Sequence, residues 1–130
     1  MSFSFNPIEG VIIISVTVHG PSGEATLLAM LDTGATVSVM DNNVLFTVGY
    51  QVDNLVADTP VLTGNGTILA SQATLDSVSA LGKEKRNFPV VCCDLPPTSP
   101  VDAIIGLDFL RNHILTLLYI YQERIDRSGK

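Results

Sequence analysis

An apolar run that ends on a single carboxylate limits this chain more than any other feature. In "LLAMLDTGATVSVM", residues 27–40, Leu27, Leu28, Met30 and Leu31 read as a strand entering a core, and Asp32 closes it. A carboxylate beside an apolar core is costly unless it is paired or hydrogen-bonded, so the fold must supply a partner. Gly34 offers one, because a residue without Cβ lets its amide approach and donate to the carboxylate. Thr33 adds a hydroxyl that can bond across to a neighbouring loop.

Strand signals surround this loop. Val11 to Val18 is rich in β-branched residues and is bounded by "HGPSG", whose Gly20, Pro21 and Gly23 make a turn; Ala25 to Leu31 returns as its hairpin partner. Asp41 is placed to cap a short helix in "NNVLFTVGY", ending near Gly49, and Gln51 to Ala57 reads as a further strand. Val61-Leu62-Thr63 and Thr67-Ile68-Leu69 flank "GNG", where Asn65-Gly66 supports a tight hairpin. Residues 70–81 alternate polar and apolar, and "NFPVVCCDL" follows as another strand. After the "PPTSP" loop, "VDAIIGLDFLRNHILTLLYIY" reads as a buried strand, a short helix from about Asp108 and a C-terminal strand from Ile114. Repeats, low-complexity segments and linkers are absent from the sequence, which is expected to form one domain over 1–130 with its core at about 11–118.

Composition removes several function classes. Hydrophobic residues make up 46% of the 130 and charged residues 15%. With a mean hydropathy of +0.37, this is more apolar surface than a small monomer buries by itself, which points to an oligomer. A net charge of -6 argues against nucleic acid, whose phosphates need clustered Lys and Arg. The single basic cluster, Lys83, Lys85 and Arg86, is interrupted by Glu84 and reads as a solvated hairpin tip. Cys92 and Cys93 are neighbours on a strand and point to opposite faces, so they read as small buried hydrophobes; no other Cys or His lies at ligand spacing, and no metal is expected. His19 and His113 read as ordinary polar residues, and Asp108 with Arg111 as an exposed helical pair at i, i+3. The apolar run "VIIISVTV" is too short to span a bilayer and no basic segment precedes it, so the expectation is a soluble cytoplasmic protein, or a soluble domain of a longer one, with no membrane partner.

An isolated Asp-x-Gly is common in turns. Here it follows an apolar strand, precedes the small residues Ala35 and Thr36, and is matched later by "AIIGLDFL", in which Gly106 follows two bulky residues. With these motifs the chain resembles the retropepsin-like aspartic proteases, single-lobe relatives of pepsin that include the retroviral enzymes. "LDTGAT" at 31–36, "TGNGT" at 63–67, where that family has its flap, and "IIGLDFL" at 104–110 carry the resemblance, which covers roughly Val11 to Leu118. "GLDFLRNH" is more similar to cellular and bacterial members, including the protease domain of DNA-damage-inducible ubiquitin-shuttle proteins. Viral members usually have an Arg soon after the glycine and an acid soon after the catalytic-loop alanine, where this chain has Leu107, Asp108, Thr36 and Val37.

The resemblance implies an all-β fold, a closed or open β-barrel of the retropepsin type with one or two short helices, assembled as a homodimer. It implies Asp32 as the catalytic acid, with Thr33 and Gly34 supporting its loop. Ala35, Thr36, Gly64, Asn65 and Gly66 then contact substrate, and Ile104, Ile105 and Gly106 lie beneath the site. Since Asp-Thr-Gly occurs once, a complete site takes one Asp32 from each of two chains, with a peptide or protein as substrate and no cofactor. Terminal segments, Ile114 to Tyr121 and residues 1–8, are expected to contribute to the dimer. A retropepsin-fold module that binds peptides or dimerises without catalysis remains the alternative, and an unrelated β-barrel with an accidental triplet is a third reading.

Overall fold

A computed structural model describes residues 10–116. The chain enters as β1 (Ile12–Gly20) and returns antiparallel as β2 (Gly23–Leu31), with Ile12 opposite Leu31 and Gly20 opposite Gly23. Period-2 alternation decides which faces are covered: Ile14, Val16 and Val18 of β1 and Leu27, Ala29 and Leu31 of β2 are buried, while Ser15 and Leu28 stay exposed. β3 (Val39–Asp41) follows the Asp32 loop and leads directly into α1 (Asn42–Thr47). Asp41 caps that helix, accepting from the Asn43 amide at 3.1 Å, and its other oxygen accepts from the Leu95 amide at 2.9 Å.

β4 (Thr59–Thr63) and β5 (Gly66–Ala70) form a separate two-stranded sheet, while β6 (Gln72–Ala80), β7 (Lys83–Cys93) and β8 (Ala103–Ile105) complete the barrel. Its strand order is β1-β2-β8-β3-β7-β6, closed by pairing of β6 with β1. Closure leaves no free edge in the barrel itself. Two pairings are parallel, β2 with β8 and β3 with β7, and they bring the ends of β2, β3 and β8 together around one loop. The four-residue helix α2 (Leu107–Leu110) plugs the barrel with Phe109, whose ring meets Phe88 edge to face at 5.8 Å. The all-β barrel with two short helices expected from the sequence is the observed fold.

Five local expectations are corrected. Gln51 to Ala57 is not a strand: Val52–Asn54 form a 3₁₀ turn closed by Asn54 N–H to Gln51 O and Leu55 N–H to Val52 O. Val52 and Leu55, three apart, pack on the core there, a helical rather than alternating spacing. The β6–β7 hairpin turns at Leu81 and Gly82, both at positive φ, so Lys83 to Arg86 begin β7 instead of forming its tip. The β4–β5 hairpin forms, with Thr63 opposite Gly66, so its connection is Gly64-Asn65, one residue earlier than expected. Asp108 and Arg111 make no helical pair, because Arg111 has left the helix at φ -56, ψ 136, and Asp108 is engaged elsewhere. Ile114 to Thr116 carry no strand, and the remainder of the expected C-terminal strand, like residues 1–8, lies outside the described residues. Among the described residues no helix is long and apolar enough to cross a membrane.

Candidate active site

The loop that follows β2 is held by β8. Parallel pairing of Leu31 with Ile105 continues one step further as Asp32 N–H to Ile105 O at 2.9 Å, which fixes where the acid leaves the sheet. The chain then folds back on itself: the Gly34 amide donates to Asp32 Oδ1 at 2.8 Å and the Ala35 amide to Asp32 O at 3.2 Å. The partner demanded by a carboxylate at the end of an apolar strand is therefore the glycine of its own triplet. Asp32 is half-buried, Thr33, Gly34 and Thr36 are exposed, and Ala35 is half-buried.

Beneath the loop lies Gly106. A Cβ placed there would sit 2.6 Å from Ala35 O and 2.9 Å from Val37 O, so only glycine lets the two backbones meet. Leu107 N–H donates to Ala35 O at 2.8 Å across this contact. The loop ends at Ser38, which is fully buried and bonded to Asp108 through both its amide, at 2.9 Å, and its hydroxyl, at 2.6 Å. Ser38 drew no attention in the sequence, and Asp108 only as half of an exposed helical pair. A buried serine reached from 70 positions away has no local signature.

Beside Asp32, Gly10, Val11, Ile12, Met30 and Leu31 line a shallow cavity of about 370 Å³. On the outer barrel face, Met30 pairs with Ile104 and Ile104 with Val39, giving an apolar row across β2, β8 and β3. All three are half-buried, whereas their neighbours Leu31, Ile105 and Met40 point into the core. Of the residues singled out in the sequence, the structure thus brings together Asp32 to Thr36 and Ile104 to Gly106, with Ile104 on the opposite face from Ile105. Gly64, Asn65 and Gly66 stand apart at the tip of the β4–β5 sheet, which exposes Leu62, Ile68 and Leu69.

His19 lies at the far end of the β1–β2 hairpin, with Nε2 2.9 Å from Glu24 and Nδ1 3.1 Å from Ser77 Oγ. Among the described residues no cluster of three or more His, Cys, Asp or Glu is arranged to hold a metal ion. Cys92 and Cys93 are free and half-buried; Cys92 packs against the core and Cys93 does not. Desolvation pushes both thiols up, and for Cys93 the Asp94 and Asp41 carboxylates add to it. A thiol so raised holds less thiolate at every pH below its folded-state value. Native protein is therefore expected to react with iodoacetamide at neutral pH several-fold more slowly than urea-unfolded protein, the gap closing as the pH is raised; equal rates at neutral pH would contradict it.

Known proteins share this fold. Residues 14–112 match the family described as gag-polyprotein putative aspartyl protease. The structure is similar to that of a retropepsin-like aspartic protease from Rickettsia conorii, 25% identical, with a TM-score of 0.63 over 84% of this chain and 76% of that one. It is also similar in fold to EIAV protease complexed with the inhibitor HBY-793, 19% identical, with a TM-score of 0.62 over 88% of this chain and all of that one. No curated protein matches the sequence. The chain belongs to the family of gag-polyprotein putative aspartyl proteases, and its fold is that of the retropepsins.

Proposed function

We propose that this protein is an aspartic endopeptidase that hydrolyses extended peptides with a pair of Asp32 carboxylates, one from each chain of a homodimer. The observation that carries this reading is the Asp32 carboxylate, bound by the Gly34 amide at 2.8 Å and opening beside a shallow cavity, in a chain of an aspartyl protease family. With one such triplet in 130 residues, a second copy is the source of the second acid.

Two carboxylates a few Å apart cannot both stay ionised, so the pair shares one proton. The charged member takes a proton from a bound water as that water attacks the scissile carbonyl, and the protonated member donates to the carbonyl oxygen. Water adds directly, so no acyl-enzyme forms. The Met30, Ile104 and Val39 row offers an apolar surface for substrate side chains, and the β4–β5 hairpin, with Gly64, Asn65 and Gly66 at its tip, folds over the peptide, which lies as an added strand, and excludes water.

A mixed peptide library tests this at several enzyme concentrations, with sedimentation in parallel. Cleavage next to apolar residues is expected, with specific activity falling on dilution as dimer is lost. Activity per chain that stays constant into the monomer range would overturn the shared dyad. A confirmed dimer that binds peptides and cuts none would make the chain a binding module.

A further inference from the structure

Ser38 spends every polar atom it has. Its amide donates to Asp108 Oδ2 at 2.9 Å, its hydroxyl donates to Asp108 Oδ1 at 2.6 Å and accepts from the Gly106 amide at 3.0 Å, and its carbonyl accepts from the Val91 amide at 3.0 Å. Asp108 Oδ1 also accepts from the Phe109 amide at 2.9 Å, so this carboxylate meets three donors. An ionised carboxylate, acceptor only, suits that set; an asparagine would turn N–H groups toward one of the donors.

The Asp32 loop is fastened to the 105–108 segment at three places. Asp32 N–H to Ile105 O begins it, Leu107 N–H to Ala35 O holds its middle, and Asp108 holds its end at Ser38. The first two are backbone bonds, the second possible because Gly106 has no Cβ. Side-chain chemistry enters this set of anchors only at the third.

We propose that Asp108 and Ser38 are positioning residues that set the Asp32 carboxylate by fixing the far end of its loop, an inference that rests on Asp32 being the catalytic acid. Neither touches substrate. Their influence runs through the 36–38 backbone and the Gly106 contact into the turn at Gly34, whose amide orients Asp32 Oδ1. Catalytic groups tolerate little displacement, and a shift of about 1 Å costs about 100-fold in rate.

Asp108→Asn and Ser38→Ala test this in the full chain. Both are expected to lower kcat by about 10- to 100-fold with KM changed by less than about threefold, as for groups that act on chemistry and not on binding. Ser38→Thr, which keeps the hydroxyl, is expected to retain more activity than Ser38→Ala. Independently of turnover, the Gly34 amide and Asp32 carboxyl NMR resonances should be displaced in both variants. Variants that lose thermal stability but keep kcat and both resonances below their Tm would reduce Ser38 and Asp108 to structural residues and overturn the proposal. If wild type cuts no peptide, the function proposed above fails on that result, while the resonances still decide whether Asp108 governs the Asp32 loop; should Asp108→Asn not fold, Ser38→Ala decides alone.

Discussion

Asp32→Asn is expected to abolish peptide hydrolysis and leave the fold intact. The amide oxygen of asparagine can still accept from Gly34 N–H, so the 2.8 Å bond that shapes the loop survives the change. The capacity to take a proton from water does not. A positioned general base contributes about 100- to 10,000-fold, and in a homodimer the substitution removes both members of the pair at once. Turnover should therefore fall by about 10,000-fold or more, to the background of the assay. Two facing carboxylates must hold a proton between them to stay together, and two amides need none. Dimerisation of the variant is accordingly expected to equal or exceed that of wild type. Circular dichroism, sedimentation and initial rates at matched dimer concentration check the three parts. Hydrolysis within tenfold of wild type would remove Asp32 from the mechanism.

Local chemistry explains what the sequence disclosed. Strand β6 announces itself because one face is buried and the other wet, which writes period-2 alternation into Gln72 to Ala80, and β1 because it is rich in β-branched residues. The Asp-Thr-Gly turn is equally local, its defining bond joining residues two apart. What stayed hidden depends on partners far along the chain. Three-residue β3 has no alternation to show and exists because β7 and β8 flank it, through Val39 with Val91 and with Ile104. Asp108 looks like a helix-surface acid until Ser38 is brought under it. Met30 looks like a core residue until its neighbours Ala29 and Leu31 are seen to take the inward positions. Gln51 to Ala57 misleads for the opposite reason: its apolar residues suggest a strand, but the Asp53-Asn54 pair favours a turn, and the backbone closes there.

Gly106→Ala should be the most damaging single-methyl change near the loop, and Gly34→Ala shows by contrast why. At Gly106 the backbone has φ -105, which alanine adopts freely, so the cost is entirely one of space. The added Cβ meets Ala35 O at 2.6 Å and Val37 O at 2.9 Å, backbone atoms that move only if the Asp32 loop lifts away. Overpacking of this kind costs about 1–3 kcal/mol. Lifting the loop also strains the bonds from Gly106 N–H to Ser38 Oγ and from Leu107 N–H to Ala35 O, each worth about 1 kcal/mol. A loss above about 3 kcal/mol follows, a large share of the stability of a domain this size and enough to lower Tm by more than about 10 °C. At Gly34 the new methyl would lie 3.1 Å from Asp32 Oδ1, the end of a side chain that can rotate. Gly34→Ala is therefore expected to fold with a Tm near wild type and to lose about 100-fold in rate, because the carboxylate is what gives way. A Gly106→Ala protein that melts with wild type would mean that the loop rests on β8 less closely than a backbone contact requires, and the division between a glycine kept for the fold and one kept for the acid would collapse.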